Sequence, residues 1–172
     1  IFLDNVKVPA ANMLGAPGEG FKIIAGEHLA LERVAVAASY VGNAQGAVDD
    51  ALAYAQQRVQ FGKPIYEFQV IRHMLADMQT AVEASRLMMW RAAWQLSRGE
   101  DALMAISQAK LFGSEAYANI ANQGMQIMGG YGYIMEFDMQ RHYRDARATT
   151  ITAGTSQMQR NLIAGLMGLK TK

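Results

Sequence analysis

Glu32 is a lone carboxylate in an aliphatic run: Leu29-Ala30-Leu31 precede it, and Val34-Ala35-Val36-Ala37-Ala38 follow Arg33. A carboxylate buried without a partner costs several kcal/mol or is driven neutral by a raised pKa. Glu32 is therefore either a structurally paired group or a base tuned by desolvation for proton transfer. Arg33 projects about 100° away around a helix, so its adjacency does not by itself make an ion pair. A second group has the chemistry of anion binding. Arg58 offers a fixed fork of donors suited to a pyrophosphate, although an arginine near a helix end also serves the helix dipole or solvent. Gly129 and Gly130 in Gln126-Ile127-Met128-Gly129-Gly130-Tyr131-Gly132 bring bare backbone to a helix end, as a plain stop or as a close approach to a ligand. Thr155 and Gln157 open a last helix, where Thr155 suits an N-cap or a phosphate donor. The turn Ala16-Pro17-Gly18-Glu19-Gly20 reads as a helix start more readily than as a phosphate loop.

The elements that must position these groups are helices. Alanine, leucine and valine dominate from Phe21 to about Arg58 without a proline, predicting a long helix, kinked or closely packed near Gly42 and Gly46. A helix apolar on nearly all sides is one buried in protein. Ile71, Leu75, Met78, Val82, Ser85, Met89 and Ala92 form one buried stripe on a second helix from about Phe68 to Arg98. Asp101 caps a third, reaching about Met128. Short helices follow over Met139 to Ala148 and Thr155 to Leu166. Arg141, Arg144, Asp145 and Arg147 are spaced for ion pairs within the first of these. The fold class expected is all-α, an antiparallel four-helix-type bundle. Residues 1–15, beginning Ile1-Phe2-Leu3-Asp4-Asn5-Val6, have mixed strand character and read as a connector from a larger protein, with the bundle over 16–172.

Composition narrows the classes. With 172 residues and 51% apolar content the chain is long enough for one sizeable core. A net charge of +1 without a basic run argues against nucleic-acid binding. No cysteine is present, so thiolate and zinc-thiolate chemistry are excluded, and the 3 histidines lack metal-pair spacing. No run reaches the roughly 18 apolar residues of a membrane span, and the compartment stays open. The 12 methionines read as core gap-fillers.

Leu31-Glu32-Arg33-Val34, Arg58-Val59-Gln60-Phe61-Gly62-Lys63-Pro64-Ile65, Phe68-Gln69, Leu75-Ala76-Asp77-Met78, the Gln126 to Tyr133 stretch, Tyr143-Arg144-Asp145-Ala146-Arg147 and Gly154-Thr155-Ser156-Gln157 follow one another in a definite order. In that order they resemble the C-terminal region of the acyl-CoA dehydrogenases over essentially the whole chain. The resemblance implies FAD as cofactor, an acyl-CoA substrate, and α,β-dehydrogenation of the thioester. It implies that Arg58, Phe61, Phe68, Gln69, Gln126, Gly129, Gly130, Thr155 and Gln157 bind cofactor, with Gln126, Gly129 and Gly130 reaching the cofactor of a neighbouring subunit. A homodimer or homotetramer and an electron-transfer flavoprotein as electron acceptor are implied as partners.

The family most often places its catalytic glutamate directly before Gly154, where this chain has Ala153. The isovaleryl-CoA and long-chain branch carries its base in a Leu-Glu-Arg setting similar to Leu31-Glu32-Arg33, which implies Glu32 as base. Arg33, Ala153 and Gly154 are then expected at the substrate, with room for a branched short acyl group. Gln140 and Asp138 depart from the family's common glutamate and proline. Two rival readings remain: a non-catalytic assembly bundle that lost its base, and a flavin-dependent relative using another acceptor. As a fragment, the chain is expected to be inactive alone.

Overall fold

A computed structural model describes residues 1–169, apart from the side chains of Glu27 and His28. Residues 1–9 form no regular element, and Ile1, Phe2 and Leu3 are exposed, so the strand character of the opening segment finds no partner strand. Glu19 closes the following turn by accepting from the Ala16 amide at 2.9 Å, a helix-start arrangement. A 3-10 turn (Ala10–Asn12) precedes the first α-helix, α1 (Gly20–Ile23), which is followed by a π-type turn (Ile24–His28) and α2 (Leu29–Gln57). The expected unbroken helix from Phe21 is thus interrupted at Gly26, whose ψ of −134° is non-helical. Glycine takes such conformations at the least steric cost. No break occurs at Gly42 or Gly46; Gly46 instead lies against the His142 ring, where an added Cβ would come within 3.5 Å.

A two-residue hairpin follows, β1 (Val59–Gln60) pairing antiparallel with β2 (Lys63–Pro64). Then come α3 (Gln69–Ser97), α4 (Leu103–Met128), α5 (Gly130–Tyr133), α6 (Met139–Thr149) and α7 (Ser156–Leu166). Asp101 does act at the start of α4, accepting from the Leu103 amide at 3.2 Å. Thr155 caps α7 through its hydroxyl, which accepts from the Met158 amide at 3.2 Å.

The three long helices α2, α3 and α4 form the bundle, and α6 and α7 complete it by packing across α4. Small residues on α2 (Ala44, Ala47, Ala51, Ala55) let α4 approach closely, with Tyr117, Ile120 and Ala121 filling the seam. On α3 the stripe holds: Met78, Val82, Ser85 and Ala92 are buried, with Ile71, Leu75 and Met89 half-buried. Met78, Met128 and Met139 are core residues, whereas Met135 and Met158 are exposed. In the charged cluster on α6, Arg141 pairs with Asp138 at 3.3 Å, and Arg147 donates to the Thr150 hydroxyl.

Candidate active site

Between α6 and α7 the chain makes a turn that backbone preference alone does not favour. Ala153 has φ +52° and Gly154 φ +91°, left-handed values that strain a residue bearing Cβ. The turn's carbonyls point into the bundle, where three buried donors meet them. Arg33 on α2 donates Nε to Ala153 O at 3.1 Å. Lys110 on α4 donates Nζ to Thr149 O at 3.0 Å and to Gly154 O at 2.7 Å. Gln159 on α7 donates Nε2 to Ala153 O at 3.3 Å and Gly154 O at 3.2 Å. The φ favours glycine here, and a Cβ on Gly154 would stand 2.8 Å from Gln159 Nε2 and push that amide off the carbonyls it holds.

Electrostatics follow from burial. Desolvation pulls the Lys110 pKa down to about 8; Arg33 adds to that fall and Glu115 opposes it. The Arg33 guanidinium is likewise lowered by burial, with the Glu32 carboxylate acting in the other direction. Arg33 turns inward to the turn, with Nε committed to Ala153 O. Glu32, one residue earlier, lies on the outer face of α2 and is exposed. The expectation of an aliphatic, buried carboxylate is therefore corrected for this chain. Ala30 and Val34 pack on a small core of Ala92, Ala102, Ala105, Ile106 and Ala109, while Leu31, Ala35 and Ala38 form a bare apolar band beside Glu32. The composition of α2 marks apolar surface on every side; only one side of it is covered within this chain.

Thr155 and Gln157 border a cleft of about 290 Å³ with Glu115, Arg147, Thr150 and Arg160. Arg160 and Glu115 join α7 to α4 across it at 2.7 Å.

A second constellation lies at the far end of α2. Arg33 and Arg58 are 25 positions apart, about 38 Å along a helix. Arg58 stacks over the Tyr131 ring at 5.3 Å, and with Tyr54, Gln60, Gly129 and Gly130 the two residues line a cleft of about 510 Å³. Gly129 ends α4 with φ +58° and ψ −136°, which leaves bare backbone at the cleft wall. Gln126 is exposed one turn earlier on α4. The hairpin turn places Phe61 (φ +53°) and Gly62 (φ +79°) in the left-handed pair of a type I′ turn. Phe61 is 93% exposed, held edge-on to Phe68 at 6.2 Å between ring centroids. Lys63 Nζ sits 4.6 Å from the Phe68 ring centre, and Gln69 opens α3 exposed to solvent.

The structure thus gathers Arg58, Gly129 and Gly130 into one cleft, with Phe61 on the adjoining hairpin and Phe68 at the start of α3, and places Ala153, Gly154 and Thr155 in another region beside Arg33. Sequence reasoning missed Lys110, Gln159 and Tyr131. Lys110 had a signal: it falls at helical steps with Ile106, Gly113 and Tyr117, all buried.

Residues 18–167 match the family model of the acyl-CoA dehydrogenase, C-terminal domain. The chain belongs to the acyl-CoA dehydrogenase family. It is similar to "Caffeyl-CoA reductase-Etf complex subunit CarC" of Acetobacterium woodii, 44% identical over 97% of this chain and 44% of that protein. Among solved structures, butyryl-CoA dehydrogenase from Megasphaera elsdenii superposes with a TM-score of 0.90 at 42% identity, covering 94% of this chain and 42% of the other. The structure described as PigA with FAD and proline aligns with a TM-score of 0.92 at 30% identity, over 98% and 44% of the two chains. The acyl-CoA dehydrogenase region seen here spans less than half the length of these relatives.

Proposed function

We propose that this chain is the C-terminal part of an FAD-dependent enzyme that dehydrogenates an acyl-CoA thioester between its α and β carbons, with Glu32 as the base. The observation that carries the reading is the Arg33–Ala153 hydrogen bond of 3.1 Å. It ties the first turns of α2 to the turn where Ala153 replaces the usual carboxylate, and Tyr40 on the same helix feels both the Glu32 charge and the Thr152 side chain of that turn, which supports Glu32 as the group serving the vacated position. The bare apolar band of Leu31, Ala35 and Ala38 is the surface that further protein and the acyl chain cover, and that covering desolvates Glu32. Glu32 then takes the α-proton on a carboxylate oxygen. Ala153 and Gly154 wall the acyl site with minimal bulk, suited to a short branched chain.

The residues present fit a flavin dinucleotide. Arg58 supplies a charge-assisted fork for phosphate, bare backbone at Gly129 and Gly130 permits close approach, and the Phe61 ring is held outward at the expense of backbone strain. Phe68, Gln69 and Gln126 flank this end, while Thr155 and Gln157 offer hydroxyl and amide donors at the other. FAD, when bound, supplies the acceptor for the hydride leaving the β-carbon. Thr155 and Gln157 share their cleft with Glu115 and Ala118 of α4, roughly 17–21 Å along that helix from Gly129; two separate clefts support a cofactor shared between copies and hence a homodimer or homotetramer. An electron-transfer flavoprotein as acceptor is supported by the Etf complex named for the Acetobacterium woodii relative. That relative's description as a reductase also favours a second reading, in which the same site runs towards saturation and Glu32 delivers the proton.

The test is anaerobic addition of straight and branched acyl-CoAs to the FAD-loaded intact protein. Bleaching of the oxidised flavin band is expected, fastest with short chains, with reoxidation faster by electron-transfer flavoprotein than by air. A flavin that no acyl-CoA bleaches and that, once reduced, no enoyl-CoA reoxidises would contradict the proposal.

A further inference from the structure

Lys110 is fully buried, and among the described residues its ammonium makes no ion pair; both its hydrogen bonds go to carbonyls of one turn. A desolvated ammonium without a carboxylate is a poor way to hold helices together, because an apolar side chain of similar volume packs without the desolvation penalty. What the ammonium can do, and an apolar chain cannot, is satisfy two inward-facing carbonyls at once. These belong to Thr149, the last residue of α6, and Gly154, the last before the α7 cap. The ammonium therefore spans the turn from end to end. The turn needs that support, since its middle holds Ala153 at φ +52°.

The turn is gripped from two other directions, at Ala153 O by Arg33 and at Ala153 O and Gly154 O by Gln159. Arg33 arrives from α2 and Gln159 from α7. Arg33 is the immediate neighbour of Glu32, so the position of the turn relative to α2 is also its position relative to the proposed base. We propose that Lys110 is a positioning residue for the acyl site: by holding Thr149 and Gly154 from beneath, it fixes the left-handed 150–155 turn at a set distance from Glu32. The inference rests on the proposed function for its consequence in rate, and on geometry alone for the clamp. Burial leaves the Lys110 pKa near 8, so at neutral pH the group is mostly an ammonium with all its donors.

The experiment uses the intact FAD-loaded protein with Lys110→Met and, separately, Gln159→Met. Two quantities are read: the rate of flavin reduction per bound flavin at saturating acyl-CoA, and deuterium exchange at the Ile151, Thr152 and Ser156 amides. Those amides bond to Ala148 and Thr150 carbonyls within the turn. Lys110→Met should slow reduction at least tenfold with KM changed less than threefold, and speed exchange at these amides at least tenfold while α3 is unaltered. Gln159→Met should shift both the same way by a smaller factor, and it decides the matter if Lys110→Met does not fold. A per-flavin rate within twofold of the parent, or exchange rising evenly over the bundle, overturns the proposal. Should the parent protein resist reduction by every acyl-CoA, the functional reading fails, while the exchange measurement still decides the clamp.

Discussion

Phe61 occupies a backbone conformation that asparagine or glycine would adopt with less strain, and its ring packs on little besides Phe68. A side chain kept in the left-handed region costs roughly 1 kcal/mol, which points to a ligand that uses the exposed ring. Phe61→Asn should therefore raise the denaturation midpoint slightly, by up to about 1 kcal/mol, and weaken FAD retention; unchanged retention would detach Phe61 from the cofactor. Lys110 yields a second outcome through linkage. Its folded pKa is lowered from the ordinary 10.5 to about 8, so between those values the unfolded chain holds more protons. Stability contributed at this position consequently rises with pH from about 8 to 10.5. Chemical denaturation across that window should show the rise in the parent protein and its loss in Lys110→Met. Spacing on α4 already marks Lys110 as buried. Its partners were not legible, because which carbonyls it meets depends on how the α6–α7 turn crosses α4, a contact 39 to 44 residues away.

Helix limits were readable because caps and breakers are local: Thr155 caps α7 and Gly129 ends α4 as their residue types require. Gly26 was not read as a break, since glycine within an apolar run interrupts a helix only where packing selects a non-helical ψ. The burial of Glu32 was misread for a related reason. Apolar composition on all sides of α2 records every surface the helix meets, including those this chain leaves bare. The turn between α6 and α7 carries its own prediction. Gly154→Ala places a Cβ in a left-handed residue against buried Gln159, combining strain with overpacking, and should cost about 2 kcal/mol or more. Thermal or urea unfolding checks this; a loss below about 0.5 kcal/mol would mean the clamp is soft.

At the scale of the molecule, the two candidate cofactor regions are separate clefts at different heights along α4. Such a layout makes sense if one copy offers Arg58, Gly129 and Gly130 to the cofactor whose other end rests near Thr155 and Gln157 of another. Mixing equal amounts of Arg58→Ala and Gln157→Ala protein under subunit exchange should restore about a quarter of the FAD sites, because roughly half the dimers are hybrids and each hybrid contains one site with neither substitution. Absence of any restoration would place both sets on one cofactor or remove one of them. The family and the bundle were legible from ordered motifs, each tied to a turn or helix start. An assembly of copies is not legible in the same way, since it would depend on surfaces that meet only between chains.

The most direct measurement is anaerobic stopped-flow bleaching of the flavin in Glu32→Gln by a short-chain acyl-CoA, with FAD content matched to the parent protein. Gln keeps the size of Glu32 and removes its ability to accept the α-proton, so the reduction rate should fall by about 10² to 10⁴-fold while acyl-CoA binding persists. Bleaching at the parental rate would show that another group takes the proton.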